Sequence, residues 1–300
     1  MKTEFARSSD DNSDPLNILL VGCGDIGIPL ARRLVDRGAR VWGMRRHPEQ
    51  LPDFIEPIAA DITDRGSLDR LADQPWDYLI TTLVPAGFSE QGYRRVFVDG
   101  MANLLDALAG QPRLKRLIHV SSTSVYHQCG GEWVDEQSPA ESNSFSGRAL
   151  LEAERLLLGS RFAATAVRFA GIYGPGRRRL IDQVRAGEGC PEQPVLYTNR
   201  IHRDDCVGVL QHLLELDHRG ERIEPLYTGV DSEPVSMWEI KQWLASQLGV
   251  TLNPSAPSPS TRRSSKRCSN ARLLASGYRL LYPGYRDGYG ALLREQPPST

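Results

Sequence analysis

The sequence predicts an α/β protein built on a doubly wound parallel sheet, with a smaller, loop-rich C-terminal lobe. Three observations predict it. An apolar run, Ile18-Leu19-Leu20-Val21, breaks into Gly22-Cys23-Gly24-Asp25-Ile26-Gly27 and then into helical spacing. From there to Phe169, apolar strands alternate with helix-like stretches, a pattern that calls for parallel strands joined by right-handed crossovers. Beyond residue 170 the texture changes to Gly- and Pro-rich loops.

The elements follow in chain order. After the first strand, Ile26 to Arg37 has helical spacing and closes at Gly38, and Arg40 to Met44 reads as the second strand. Pro57 to Ala60 is a short third strand, Ser67 to Ala72 a short helix, and Tyr78 to Leu83 a fourth strand. Tyr93 to Leu108 is helical in spacing, and Leu117 to Ser121 is a fifth strand that runs into a Ser/Thr cluster. The helix Arg148 to Leu158 and the strand Ala163 to Phe169 complete this part. Gly171 to Gly176, Gly187 to Pro194 and the Pro/Ser-rich stretch from Asn253 to Lys266 then read as exposed loops. The expected organisation is a polar, disordered tail over 1–14, a nucleotide-binding domain over 15–170, and a substrate-binding lobe over 171–300, partly interleaved with the sheet.

The first turn has the G-x-G-x-x-G spacing between a strand and a helix. Each glycine has its own task in such a turn: Gly22 permits the tight bend, Gly24 lets the backbone approach a pyrophosphate, and Gly27 lets the helix pack on the strand. The residues around them, Asp25 and Ile26, begin a helix whose N–H groups and positive dipole end suit a phosphate. This is a dinucleotide-binding turn of Rossmann type. At the end of the second strand, where the NAD form of the fold has a carboxylate roughly 20 residues on, the chain has Met44-Arg45-Arg46. A guanidinium there suits a 2′-phosphate, so NADP is favoured and NAD is the alternative. The competing reading is that both arginines are solvated at a loop start.

Composition limits the partners. The 300 residues are 40% apolar and 24% charged, enough to bury a full core. A formal charge of -1 and a pI near 6.6 leave no global basic field, which argues against nucleic acid or an anionic membrane as partner. The five cysteines are scattered, with no C-x-x-C pair and no metal-ligand spacing, so neither a disulfide framework nor a metal site is expected. No apolar stretch near the start resembles a signal peptide or a spanning helix, and a cytoplasmic location is the expectation. A small-molecule substrate is the expected partner, and a homodimer stays open.

At Val120-Ser121-Ser122-Thr123-Ser124-Val125-Tyr126, following the fifth strand, the chain resembles the extended and atypical short-chain dehydrogenase/reductases. That group includes NAD-dependent epimerase/dehydratase proteins acting on nucleotide sugars. The resemblance extends to Asp61-Ile62, to Asp99-Gly100 with Asn103-Leu104-Leu105, to Arg168 through Gly176, and to Ile201 through Val207. It implies that Asp61 and Ile62 contact an adenine and that Ser122 hydrogen-bonds a substrate oxygen beside a nicotinamide. Read without it, Ser122 is a turn residue bonding its own backbone. Asp205 reads as the cap of a helix starting near Cys206.

The chain departs from that group at the catalytic centre. Aligned on Leu151-Glu152-Ala153-Glu154, Ser146 stands at the place of the family's tyrosine and Leu150 at that of its lysine, four residues on. A serine hydroxyl is a far weaker acid than a phenol, and leucine brings no charge to activate it. Phe97 stands where the family has an active-site Asn. Tyr126, His127, Tyr173 and His202 are the candidate replacement acids, with Tyr126 directly after the Ser/Thr turn. Arg177-Arg178-Arg179 either holds substrate phosphates or forms a solvated loop face. Two functions fit: a hydride-transferring enzyme of epimerase/dehydratase or reductase type, and a non-catalytic NADP-binding sensor or scaffold.

Overall fold

The computed structural model describes residues 15–253 and 265–295. The tail expected over 1–14 and most of the Pro/Ser loop lie outside the described residues. The chain divides into two compact units. One comprises the residues up to Val125, Glu141–Arg168 and Val207–Tyr227; the other comprises Tyr126–Ala140, Phe169–Cys206 and the residues from Thr228 on. The domain boundary expected at 170 falls beside one of these passages. The chain makes others that a reading along contiguous sequence does not register.

The first unit is organised on a seven-stranded sheet. Its strands are β1 (Asn17–Val21), β2 (Arg40–Arg45), β3 (Glu56–Ala59), β4 (Tyr78–Thr81), β5 (Arg116–Ser122), β6 (Ala164–Phe169) and β7 (Leu226–Gly229). They lie in the order β7-β6-β5-β4-β1-β2-β3. The pairings of β1 with β2 and β4, of β2 with β3, and of β4 with β5 are parallel, as the alternation predicts. Ile18, Leu19, Leu20 and Val21 are fully buried. A strand covered on both faces needs such a continuous apolar run rather than an alternating one.

The helical segments of this unit include α1 (Gly27–Val35), α2 (Glu90–Tyr93), α3 (Gly100–Ala107), α4 (Phe145–Leu158) and most of Arg203–His218. The stretch expected as one helix from Tyr93 starts earlier, because Ser89 caps it by accepting from Gly92 N. Between α2 and α3 the chain makes a π-helical turn over Arg94–Asp99. The short helix expected at Ser67 is a 3-10 segment, Arg65–Asp73. Helix α4 begins three residues before the expected Arg148, at Phe145, because Ser144 accepts from Gly147 N and opens it there.

The polar anchor of this unit is buried. Arg168 on β6 holds Glu154 of α4 through Nη2···Oε2 at 2.6 Å and Nε···Oε1 at 3.0 Å. Ser121 Oγ donates to the same carboxylate at 2.5 Å. An ion pair so desolvated stabilises only while both partners remain. It ties α4 to the last residues of β5.

The second unit has three short strand pairs. Gly171–Tyr173 runs parallel to Arg200–His202, so part of the segment expected as a loop is a strand. Tyr197–Thr198 pairs antiparallel with Val235–Ser236, and Lys266–Cys268 runs parallel to Glu132–Val134. Helices Arg179–Arg185, Met237–Leu248 and Tyr285–Arg294 supply Ile181, Val184, Ile240, Leu244, Tyr285 and Leu292 to one apolar core. Asp205 does not cap a helix: it lies within Arg203–His218, and its buried carboxylate accepts from Tyr278 OH, Leu281 N and Tyr282 N at 2.9, 2.7 and 3.0 Å. It clamps the segment 278–282.

Candidate functional site

The glycine turn is defined by what surrounds its backbone. Gly22 has φ +84°, and a Cβ there would stand 2.9 Å from Thr82 O, so backbone sign and space both require glycine. Thr82 closes over the turn from β4, donating from N to Val21 O and from Oγ1 to Gly22 O, each at 2.8 Å. A Cβ on Gly24 would meet, among the described residues beyond its chain neighbours, only Gly22 O at 3.8 Å, so the backbone there is open to an incoming group. A Cβ on Gly27 would stand 3.3 Å from Cys23 Sγ and 3.5 Å from Thr82 Oγ1, the close packing of helix on strand.

The helix that follows suits an anion. Ile26, at its start, is buried and has helical angles; no side chain caps the end, and no acidic residue lies in the first turn. The first N–H groups of an α-helix have no intrahelical partner, so a phosphate would meet donors and a positive dipole end. Asp25 is exposed beside them. Arg45 lies close enough to oppose, by its charge, the burial that pushes the Cys23 thiol up to about 11. Arg46 is exposed. These residues fit a dinucleotide bound by its pyrophosphate: the open Gly24 backbone and uncapped helix would hold the phosphates, with a guanidinium at the end of β2.

Asp61 and Ile62 follow β3. Asp61 Oδ1 accepts from Thr63 N and Thr63 Oγ1, both at 2.9 Å, so the carboxylate shapes its own loop. Ile62 is buried, and its methyl groups lie 3.1 to 3.2 Å from where a Cβ on Gly100 would stand. Asn103 Nδ2 donates to Ile62 O at 3.2 Å, fixing the pair on α3.

At the end of β5, Ser122 is half-buried and its Oγ accepts from Ser124 N at 3.1 Å. That is the turn geometry expected of clustered Ser and Thr, and it leaves the hydroxyl proton of Ser122 for another acceptor. The start of α4 presses on this turn: a Cβ on Gly147 would lie 2.6 Å from Ser124 O, and Ser142 Oγ donates to that carbonyl at 3.0 Å. Ser146 is buried with its Oγ 3.2 Å from Ser144 Oγ, and Leu150 is buried. Beneath, His119 Nδ1 lies 2.6 Å from Thr81 Oγ1, and burial takes its pKa down to about 4. At neutral pH that imidazole is uncharged.

The candidate acids in the second unit are occupied by packing. Tyr126 is buried and its hydroxyl donates to Asp135 O at 2.6 Å. Tyr173 is buried, stacks on Tyr289 at 4.2 Å, and has its pKa raised by burial. His202 is buried against Tyr282 at 4.0 Å, and burial lowers its pKa. His127 is exposed. Arg177, Arg178 and Arg179 line an open cavity of about 580 Å³ together with Asp182, Gln183 and Glu188. Arg178 Nη2 donates to Leu292 O at 3.3 Å, which fixes the guanidinium at the cavity wall. Among the described residues no group of three or more His, Cys, Asp or Glu is placed to hold a metal ion, and no helix is long and apolar enough to cross a membrane.

Sequence reasoning missed Glu154 with Arg168, and Asp231 with Arg200. Asp231 is buried, and burial raises its pKa to about 7 against the opposing charge of Arg200. Only the Leu151-to-Glu154 stretch carried any signal, as an alignment anchor. Nothing local marks Asp231.

Comparison with known proteins places the chain. The model of the NAD dependent epimerase/dehydratase family matches residues 18–213. Protein YeeZ of Escherichia coli strain K12 is 31% identical over 215 residues, 68% of this chain and 74% of that one. The 3-diazoavenalumate denitrifying reductase of a Streptomyces species is 26% identical over 313 residues, 92% of this chain and 99% of that one. Among solved structures, a putative NAD-dependent epimerase/dehydratase from Methylobacillus flagellatus superposes with TM-score 0.79 at 37% identity, covering 94% of this chain and 98% of that one. MoeE5, solved in complex with UDP-glucuronic acid and NAD, shares the fold at TM-score 0.73 and 22% identity, over 91% and 96% of the two chains.

Proposed function

This chain belongs to the NAD dependent epimerase/dehydratase family, and from that premise we propose that it is an NADP-dependent enzyme of reductase type acting on a carbonyl or hydroxyl substrate. The observation that carries this reading is the Gly22–Gly27 turn, locked by Thr82 and open at Gly24, with Arg45 at the end of β2. Bound there, the reduced nicotinamide supplies a hydride to a carbonyl carbon, and a proton on the oxygen completes the alcohol. Arg45, with Arg46 beside it, would pair with a 2′-phosphate. Asp61 and Ile62 would flank the adenine.

Ser122 is the substrate-positioning hydroxyl: its Oγ is oriented by Ser124 N, and its own proton points a hydrogen bond at the substrate oxygen. Ser146 and Leu150 supply neither phenol nor ammonium, so the proton comes by another route. Tyr126 is the acid carried over from the sequence; to give a proton it must leave the Asp135 carbonyl. Tyr126→Phe decides its role: loss of turnover with an unchanged melting temperature supports the acid, and loss of stability alone removes it. Two substrate classes meet these requirements. A nucleotide-linked sugar, the kind of ligand in the MoeE5 structure, would bring phosphates that need cationic side chains. A carbonyl compound without phosphates, closer to the relative named a reductase, would not need them.

The second reading is a non-catalytic NADP-binding sensor or scaffold, favoured by Ser146 and Leu150 standing where the resemblance predicts a tyrosine and a lysine. Mixing the protein with NADPH and a panel of carbonyl compounds and nucleotide sugars separates the two. Cofactor oxidation with any member supports the enzyme; binding without turnover of any member supports the sensor. A cytoplasmic location and a homodimer belong to the same proposal, and sedimentation of the purified chain tests the latter.

A further inference from the structure

We infer that the reacting end of the substrate is a planar aromatic group, held against a cluster of rings from Phe88, Tyr93, Phe97 and Phe145 in the first unit. The inference rests on the hydride-transfer reading above and narrows its substrate class.

The rings form a connected set. Phe88 meets Phe145 at 4.8 Å and Tyr93 at 5.5 Å between centroids; Tyr93 meets Phe145 at 5.6 Å and Phe97 at 5.5 Å. These separations, with tilted and edge-on planes, are those at which aromatic pairs attract. The set is graded from inside to outside: Phe97 is 4% exposed, Tyr93 and Phe145 are half-buried, and Phe88 is 64% exposed. A phenylalanine left this open at the end of a ring cluster offers a stacking face to an incoming ring.

The place of the cluster ties it to the chemistry. Phe88 is on the loop that leaves β4 at Thr82, the residue closing over the glycine turn, and Val84 on the same loop is also exposed. Phe145 is the first residue of α4, whose start packs on the Ser124 carbonyl of the Ser122 turn. Phe97 sits in the π-helical turn Arg94–Asp99, an irregularity that often marks functional sites. The cluster thus draws its members from the segment that follows the Thr82 lock and from the helix that packs on the Ser122 turn.

The polarity of this wall argues against a bare sugar. Phe97 and Leu150, both buried, stand where the resemblance predicts Asn and Lys, so two polar positions have become apolar, one of them within the ring cluster. Sugar hydroxyls pressed against it would lose water and gain few partners. A flat ring loses little and gains stacking.

The test compares benzaldehyde with cyclohexanecarbaldehyde, similar in size but not planar, using full-length protein and NADPH. Benzaldehyde is expected to have the lower KM, and Phe88→Ala is expected to reduce its preference, in kcat/KM, by about 5-fold. An unchanged preference overturns the inference, as does faster turnover of a UDP-sugar than of either aldehyde. If neither aldehyde is reduced, the enzymatic reading is decided separately by the wider panel, and binding decides this point. Saturation transfer to the ring protons of benzyl alcohol on NADP-loaded protein, weakened by Phe88→Ala, supports the aromatic wall; no transfer in the wild type overturns it. Should Phe88→Ala instead abolish self-association and leave ring binding intact, the cluster is a contact between copies and the inference falls.

Discussion

The glycine turn at Gly22–Gly27 and the serine turn at Ser122 stand at the ends of β1 and β5, with β4 between them in one sheet. The first is specified by backbone: a positive φ at Gly22, an open approach at Gly24, and a helix end without a cap. The second is specified by side chains: a hydroxyl that accepts from Ser124 N, and a serine and a leucine at 146 and 150 in place of the tyrosine and lysine the resemblance predicts. A backbone device works only with certain residues, so it tolerates little change. A side-chain device can be re-equipped without moving the fold, which is how one architecture hosts different chemistries.

Breaking the support beneath the serine turn should have the largest effect. Glu154→Ala takes the buried carboxylate away from both Arg168 and Ser121, and should cost about 3 to 5 kcal/mol of stability in chemical denaturation. A loss under about 1 kcal/mol would mean that water reaches the arginine. Next comes the glycine turn: Gly22→Ala combines a strained φ with a Cβ 2.9 Å from Thr82 O, and should weaken NADPH binding by about 100-fold or more in a fluorescence titration. Equal affinity for the variant would show that the turn does not hold the cofactor.

Smaller effects sharpen the contrast. Arg45→Ala should weaken NADP about 10-fold and NAD much less, the worth of one charge-assisted hydrogen bond. Equal weakening of both would refute the preference. Outside these two turns, Asp231 supplies a pH effect. Its folded pKa, about 7, lies above its ordinary value, so its contribution is present in full below the unfolded carboxylate pKa. That contribution is lost as the pH rises towards 7. The melting temperature should therefore be higher near pH 5 than near pH 8 by an increment that Asp231→Asn removes. An increment unchanged in the variant would assign the effect to other groups.

The contrast also explains what could be read from sequence. Parallel strands such as Ile18–Val21 announce themselves because both faces are buried, and the glycines announce a turn that other residues fill badly. Helix starts were misplaced where the signal was a cap, as at Ser89 and Ser144, rather than apolar spacing. Of the passages between the two units, the one near residue 170 carries a change of texture in the sequence, and the others carry no local mark because the chain returns to each unit after long intervals. Glu154 and Arg168 are 14 residues apart in sequence and meet only after the helix folds back onto the sheet. Asp205 reads locally as a cap, but its partners lie more than 70 residues on. The resemblance pointed to Ser122 and to Ser146 and Leu150; the rings of Phe88, Tyr93, Phe97 and Phe145 become a cluster only in three dimensions.

The central claim, a bound nicotinamide put to use without the Tyr-Lys relay, is tested most directly by following the label from NADPH deuterated at the nicotinamide C4. Incubated with the protein and a carbonyl substrate, it should deliver deuterium to the former carbonyl carbon, and Ser122→Ala should slow that transfer about 10-fold or more with the melting temperature unchanged. Tight binding of the labelled cofactor with no deuterium in any product would contradict the claim and leave the chain a cofactor-binding protein.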